Sequence, residues 1–211
     1  PMTDPSGLFA TIMARETAQA PERCTQQLAR NADLMREAGA RLRALAPPFA
    51  ATLARGSSDH AAAFAKVLLE TRASVPTLSH APSIGSLYGV TISQSGRSPD
   101  LIAAAQDAKR QGALLIAIVN DAESPLAHLA DICIPIHAGP ETSVAATKSF
   151  IATLVALTHL VAEWSGDNGL CDALPAIGPT LQGALAADWR GAVPLLKDAR
   201  AMLVLGRGVP L

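Results

Sequence analysis

Residues 92–100 of this chain read Ile-Ser-Gln-Ser-Gly-Arg-Ser-Pro-Asp, and they join an apolar strand-like segment (90–92) to an alanine-rich helical one (101–108). A hydroxyl-rich turn between a strand and a helix suits an anion, because free backbone N–H groups and the helix dipole point toward it. Gly96 lets a ligand approach the backbone closely. The turn lacks the lysine of a nucleotide-binding P-loop. We therefore expect a small phosphate monoester, such as a sugar phosphate.

The same turn has a second interpretation. Ser98 followed by Pro99 is typical of a helix N-cap with proline at the first helical position. Capping and anion binding are compatible, because a capping hydroxyl sits at the helix end where an anion would dock. The sequence leaves both roles open.

Composition excludes several classes of protein. The chain has 211 residues, 49% of them apolar and 3% aromatic, with a net charge of −1. This charge and the lack of a basic stripe argue against nucleic-acid binding. We find no apolar run of the roughly 18 residues that a membrane span needs, and no signal peptide. We expect neither a nucleic-acid partner nor a membrane partner.

The cysteines point to the redox compartment. Cys24, Cys133 and Cys171 are odd in number and far apart, with no metal-ligand spacing. Neither a zinc site nor a disulfide framework is indicated, and the cytoplasm is the expected location.

The apolar pattern changes near residue 49. Before that point, helical spacing predicts two helices within residues 6–46. After it, apolar runs alternate with helical segments, which indicates a parallel sheet buried on both faces. The predicted strands are 50–54, 75–79, 90–93, 114–119 and 131–136, and the predicted helices are 57–71, 99–111, 147–164 and 181–190. We predict a three-layer αβα fold with a parallel sheet of about five strands, preceded by an N-terminal helical arm.

Polar clusters follow three of these strands. They are Arg55–His60, the turn after residue 92, and Gly139–Lys148. The carboxyl ends of parallel strands meet at one edge of a sheet, where ligands bind near a reversal of strand order. We expect the three clusters to form one polar pocket.

The three motifs together resemble the sugar isomerase (SIS) domain. More narrowly, they resemble the isomerase half of glutamine–fructose-6-phosphate aminotransferase (glucosamine-6-phosphate synthase) and the related SIS-type glucosamine-6-phosphate deaminases. The residues that carry the resemblance are Arg55-Gly56-Ser57-Ser58, Ser93 to Asp100, and Ala138 to Lys148. Arg97-Ser98-Pro99 is more similar to the stand-alone deaminases than to the synthases.

The resemblance implies roles for individual residues. The substrate phosphate would be held by Ser58, Ser93, Gln94, Ser95 and Ser98. The sugar would be contacted by Gly56, Ser57, Val144 and Ala145, the last two through backbone groups. No metal and no cofactor are implied.

Catalytic residues are unknown at this stage, and the resemblance places the main acid/base residues outside this chain. Glu141 is a weak candidate for proton transfer or a loop hydrogen-bonding residue. Lys148 could steer phosphate or pair with Glu141. His60 could line the pocket or play a structural role.

The implied function is ketose–aldose isomerisation of a hexose 6-phosphate with amination or deamination, linking glucosamine 6-phosphate and fructose 6-phosphate, with deamination favoured. The alternatives are a non-catalytic phosphosugar sensor and a simple phosphosugar isomerase. A homodimer binding a hexose 6-phosphate or amino-sugar phosphate is expected.

The chain is also predicted to divide into four segments. These are a helical arm (1–47), a first SIS repeat (48–166), a helical linker (167–200), and the first strand of a second, truncated SIS repeat (201–211).

Overall fold

The computed structural model describes residues 11–80, 89–92 and 96–201. Five strands lie in this part of the chain: β1 (Ala50–Leu53), β2 (Thr77–His80), β3 (Gly89–Ile92), β4 (Leu115–Val119) and β5 (Ile132–Pro135). The α-helices of the same residues are α1 (Ile12–Thr17), α2 (Ala20–Leu45), α3 (Ser57–Arg72), α4 (Pro99–Arg110), α5 (Pro125–Leu129), α6 (Lys148–Ser165), α7 (Asn168–Ala173), α8 (Ile177–Ala186) and α9 (Val193–Lys197). Short 3-10 turns at Leu174–Ala176 and Arg190–Ala192 precede α8 and α9.

Local sequence accounts for several helix ends. Helix α2 stops at Ala46, which adopts a left-handed conformation, and Pro47 and Pro48 follow it. Helix α6 stops at Gly166, which has a φ of 69°. A glycine just past the last turn ends a helix at little steric cost.

The strands form one parallel sheet in the order β2-β1-β3-β4-β5. Near the carboxyl ends, Leu53 of β1 pairs with His80 of β2 and Thr91 of β3. Val119 of β4 pairs with Pro135 of β5. The ends are therefore aligned, and the loops that follow the strands leave from the same edge of the sheet.

Helices cover both faces of the sheet, as the interior strand β4 shows. All five residues of β4 are buried. Ile116 and Ile118 join the apolar cluster that includes residues of α2, α3 and α6. Leu115, Ala117 and Val119 join a second cluster with residues of α4 and α5. Alternation along the strand thus sends neighbouring side chains to opposite helical layers.

The N-terminal helix α2 belongs to the first of these layers. Its Met35, Ala38 and Leu42 are buried in the larger cluster, and it packs along α6. Gly39 permits this approach: a Cβ at this position would lie 2.7 Å from the backbone carbonyl group of Glu163. The two helices can be this close only because one of them carries no side chain there.

The structure confirms the predicted fold class. The five strands and the main helices occur near the predicted bounds, and a helical arm precedes the sheet. The sequence pattern missed α5, α7 and α9, and α8 begins and ends four residues before the predicted helix (177–186 against 181–190). The predicted strand after residue 201 lies outside the described residues, and the division into four segments stays a prediction.

Replacing a helical glycine by alanine is expected to have opposite effects at two positions. Gly39→Ala should lower the free energy of unfolding by about 1–3 kcal/mol, because the new methyl group meets the α6 backbone. Gly183→Ala, in α8, is the matched control, since a Cβ there has nothing within 4 Å. It should raise stability by up to about 1 kcal/mol through helix propensity. Urea unfolding followed by circular dichroism measures both, and a Gly39→Ala variant as stable as its control would contradict the packing argument.

Candidate functional site

The candidate site lies at the carboxyl edge of the sheet. Strand β1 has β2 on one side and β3 on the other, so the direction of winding reverses beside β1. In parallel sheets a ligand crevice opens at such a reversal, because the loops on its two sides diverge. The loops that follow β1, β3 and β5 are those that carry the predicted polar clusters.

The first loop joins β1 to α3. Gly56 has a φ of 58° and a ψ of −133°, a conformation that suits glycine, and α3 begins directly after it. Ser57 and Ser58 occupy the first helical turn. The N–H of Ser58 donates to the carbonyl of Arg55 at 3.2 Å, which holds the turn closed. Two hydroxyls and a helix N-terminus are thereby placed at the edge of the sheet.

The second loop joins β3 to α4. Its predicted phosphate ligands Ser93, Gln94 and Ser95 lie outside the described residues. Gly96 is buried with a φ of 61°, and a Cβ there would overlap the side chain of Ser124. The tight packing against Ser124 therefore requires glycine at this position.

Ser98 occupies the N-cap position of α4, with Pro99 as the first helical residue, as the sequence predicts. Its side chain makes no capping hydrogen bond. The capping interpretation is thus correct for the position of the residue and wrong for its hydroxyl. That hydroxyl stands at the N-terminus of a 12-residue helix without being engaged by the helix's own N–H groups.

Two ion pairs connect the strand-end loops. Arg55 Nη1 lies 2.9 Å from Asp100 Oδ2, which links the first loop to the start of α4. Arg97 Nη2 lies 2.8 Å from Asp121 Oδ2, which links the second loop to the loop after β4. The hydrogen bond from Arg97 lowers the pKa of the Asp121 carboxyl. Each pair is largely exposed to solvent, which screens it, so its main effect is on loop geometry.

The third loop runs from β5 to α6 and is organised around Glu141. Oε1 of Glu141 accepts from the N–H of Thr147 at 2.9 Å and from its hydroxyl at 3.1 Å, and Oε2 accepts from the hydroxyl of Ser149. A carboxylate is favoured at this helix N-terminus. Of the two roles left open for Glu141, the structure shows the loop hydrogen-bonding one.

Lys148 and His60 lie in different environments. Lys148 is 2% exposed, and its Nζ donates to Gln19 Oε1 at 2.8 Å and to the carbonyl of Pro140 at 2.6 Å. These two bonds join the start of α6 to the N-terminal helices and to the third loop. His60 is exposed on α3.

The first and third loops meet between α3 and α6. A crevice there is lined by Ser57, Ser58, Ala61, Ala146, Ser149, Phe150 and Thr153, and His60 is not among these residues. The neighbouring Val144 is 94% exposed, and Ala145 is exposed as well. The structure thus brings two predicted ligand-binding residues of the first loop, Ser57 and Ser58, beside the segment that contains two predicted sugar contacts, Val144 and Ala145.

Two residues of the site were missed by sequence reasoning. Asn120, after β4, donates through Nδ2 to the carbonyl of Gly139 at 2.8 Å and accepts from the N–H of Ala138 at 3.0 Å. Glu16, in α1, accepts from the backbone N–H groups of Thr142 and Ser143 at 2.7 and 3.0 Å. No local motif marks either residue, because each acts on a segment remote in sequence.

Glu16 is ionised in this setting. The hydrogen bond from the Ser143 hydroxyl, followed by those from Thr142 and from the Ser143 backbone, lowers the pKa of Glu16 from 4.5 to about 2. Its side chain is buried, with 7% of the residue exposed. A buried carboxylate surrounded by donors is stable as the charged form.

The part of the chain that the structure describes offers no group of three or more His, Cys, Asp or Glu residues able to hold a metal ion. Within the same residues, no helix combines the length and apolar character that crossing a bilayer requires.

The stabilising effect of Glu16 should depend on pH in a defined window. Because its folded-state pKa is depressed, its contribution is present above pH 4.5 and is lost as pH falls toward about 2. Glu16→Gln should therefore lower Tm at neutral pH, and the gap from the unsubstituted protein should shrink as pH falls through this window. Thermal unfolding of both proteins measures this, and other carboxyls cancel in the comparison. A gap that stays constant down to about pH 2 would contradict the assignment.

The chain was compared with known families and proteins. Residues 88–163 match the family described as the SIS domain. A glutamine–fructose-6-phosphate aminotransferase (isomerizing) from Thermococcus kodakarensis is 33% identical over 178 residues, which are 74% of this chain and 30% of that protein. The corresponding enzyme from Halobacterium salinarum is 41% identical over 109 residues, which are 47% of this chain and 18% of that protein. The chain thus spans at most 30% of the length of these two relatives.

A solved structure described as a phosphosugar isomerase from Silicibacter pomeroyi superposes on this chain with a TM-score of 0.84. The two are 40% identical, and the match covers 89% of this chain and 61% of that one. The chain therefore contains an SIS domain, and it is related to phosphosugar isomerases and to glutamine–fructose-6-phosphate aminotransferases.

Proposed function

We propose that this chain binds a hexose 6-phosphate in the crevice formed by the loops that follow β1, β3 and β5. The observation that carries the proposal is the Ser98 hydroxyl at the N-terminus of α4, which caps nothing. A helix N-terminus with free donors attracts a phosphate dianion through its N–H groups and its dipole. The phosphate ligands in this proposal are Ser58, Ser93, Gln94, Ser95 and Ser98.

The sugar end of the ligand would lie against the first and third loops. Ser57 and Ser58 share a crevice with Ala146, and Val144 and Ala145 are exposed beside it. Neutral hydroxyl and backbone groups suit a polyol, because each can donate or accept hydrogen bonds from sugar hydroxyls. In this proposal Gly56, Ser57, Val144 and Ala145 contact the sugar.

The proposed reaction converts glucosamine 6-phosphate and water to fructose 6-phosphate and ammonia. It needs ring opening and transfer of a proton between carbons 1 and 2 through an enolamine, with a base within hydrogen-bonding distance. The run Arg97-Ser98-Pro99, similar to the SIS-type deaminases, favours this direction over amination. Anchoring of the phosphate would position the reacting carbons. In this proposal the main acid/base residues lie outside this chain, as the resemblance to the family implies.

A non-catalytic phosphosugar sensor is the second candidate function, and two observations favour it. The carboxylate of Glu141 is occupied by donors of Thr147 and Ser149, and Lys148 is buried and bound to Gln19 and Pro140. The carboxylate of Glu141 and the ammonium group of Lys148 therefore serve structure. Ammonia release separates the candidates: an enzyme liberates ammonia from glucosamine 6-phosphate, whereas a sensor binds it unchanged.

A homodimer and a cytoplasmic location complete the proposal. The three cysteines are free, which is compatible with a reducing compartment.

The test of phosphate binding is a pair of substitutions at Ser98. Ser98→Ala should weaken binding of glucosamine 6-phosphate about tenfold, because one hydrogen bond to a charged group is lost. Ser98→Thr, which keeps the hydroxyl, is the matched control and should bind like the unsubstituted protein. Isothermal titration calorimetry gives the affinities. Since Ser98 makes no capping bond, Ser98→Ala should leave Tm nearly unchanged. Equal affinity in all three proteins would remove Ser98 from the site.

Ammonia release should be measured on the intact gene product that carries this chain, with Ser98→Ala beside it. Release that falls in the variant favours the deaminase. Saturable binding without release favours the sensor or a simple isomerase, and no binding of glucosamine 6-phosphate or fructose 6-phosphate overturns the proposal.

A further inference from the structure

Five polar residues of the N-terminal helices recur every three or four positions. They are Glu16, Gln19, Arg23, Gln27 and Asn31, and we name them the polar stripe. This spacing places residues on one side of a helix. Glu16, Gln27 and Asn31 are buried, which is unusual for polar side chains unless partners satisfy them.

The C-terminal end of the polar stripe, Asn31 and Gln27, forms hydrogen bonds with the end of β5 and the start of the third loop. Nδ2 of Asn31 donates to the carbonyl of Pro135 at 2.8 Å, and Oδ1 of Asn31 lies 3.1 Å from His137 Nε2. Nε2 of Gln27 donates to the carbonyl of Ile136 at 2.9 Å. Three consecutive residues, the last of β5 and the first two of the third loop, are therefore bound to α2.

The middle of the polar stripe meets the next part of the loop. A Cβ on Gly139 would lie 3.5 Å from the guanidinium carbon of Arg23, so this side chain packs directly on the glycine. Oε1 of Gln19 accepts from Lys148, which also donates to the carbonyl of Pro140. Lys148 thus connects the polar stripe to the loop backbone.

Glu16 is the N-terminal residue of the polar stripe. Oε1 accepts from the N–H of Thr142 at 2.7 Å and from its hydroxyl at 3.2 Å. Oε2 accepts from the N–H of Ser143 at 3.0 Å and from its hydroxyl. The polar stripe and the loop therefore run in opposite directions along each other. Asn31, at the C-terminal end of the stripe, contacts Pro135, and Glu16, at its N-terminal end, contacts Ser143.

We propose that the polar stripe positions the sugar-contacting part of the third loop, with Glu16 as its principal residue. This inference rests on the proposed function, in which Val144 and Ala145 contact the sugar. Ser143 directly precedes these residues, and Glu16 holds both its N–H and its hydroxyl. A loop ordered before the ligand arrives avoids the entropy cost of ordering it on binding. Glu16 is a positioning residue, because it acts on the sugar through the loop backbone.

A Glu16→Gln variant tests this role. The amide keeps one acceptor oxygen, but its NH₂ group faces two of the donors of Thr142 and Ser143. Two of the four hydrogen bonds to this side chain are therefore lost, and two donors face each other in their place. Affinity for glucosamine 6-phosphate should fall about tenfold, while affinity for inorganic phosphate, which uses the loops after β1 and β3, should be unchanged. Glu22→Gln is the matched control: Glu22 lies in the first turn of α2 and pairs with Gln26 on the exposed side. It should leave both affinities unchanged.

Hydrogen–deuterium exchange tests the loop without any ligand. The amides of Thr142 and Ser143 should exchange at least about tenfold faster in Glu16→Gln than in Glu22→Gln, because their acceptor is weakened. Unchanged exchange would overturn the inference. Equal losses of affinity for phosphate and for glucosamine 6-phosphate would also overturn it, since they would indicate general damage.

Two further outcomes, no binding by the unsubstituted protein and failure of the variant to fold, are distinguished as follows. If the unsubstituted protein binds neither probe, the proposed function fails and the role in sugar recognition fails with it, whereas exchange still decides whether Glu16 orders the loop. If Glu16→Gln does not fold, Ser143→Ala removes one donor and leaves the carboxylate with its other partners. It should shift affinity for glucosamine 6-phosphate and exchange at Thr142 in the same direction, by a smaller factor, and no shift would overturn the inference.

Discussion

A parallel sheet buried on both faces is the constraint on which the rest of the molecule depends. Every residue of β4 is buried, and its side chains pack alternately into two helical layers. Such a strand has no position for a polar side chain on either face, so hydroxyls and charges concentrate in the loops. Since all neighbouring strands run parallel with aligned carboxyl ends, the loops after β1, β3 and β5 open at one edge. The strand order reverses at β1, which is where parallel sheets bind ligands.

The third loop adds a second requirement, because its backbone groups have no strand to pair with. Two carboxylates accept hydrogen bonds from backbone N–H groups there: Glu141 accepts from Thr147 before α6, and Glu16 accepts from Thr142 and Ser143. The helices that cover the sheet therefore also hold the loop of the candidate site. Packing of α2 on α6 and geometry of the site are coupled, since both depend on where the N-terminal helices lie.

The fold could be predicted well from the sequence, because apolar runs and their boundaries are local signals. The five strands follow from such runs, and Ser98-Pro99 correctly marks the start of α4. Helix α5 was missed because its five residues are too few to display helical periodicity. In the site, the hydroxyl clusters and their common edge were predictable. The role of Glu141 was not, because its position in the chain fits both proton transfer and loop hydrogen bonding. The partners of Lys148 were not predictable either, because Gln19 is remote in sequence.

By itself the sequence determined the fold class and the three polar loops, since both follow from apolar runs and polar clusters that are local in the chain. The need for glycine at position 96 is a tertiary effect, because it comes from the packing of this residue against Ser124. Only the tertiary structure decided what holds the third loop. Glu16 and Thr142 are 126 residues apart, and the polar stripe looks like an ordinary polar helix face until its partners are known. A hydrogen bond between remote segments leaves no periodic trace in either one, because it depends on how the helical layer packs on the sheet and not on local spacing.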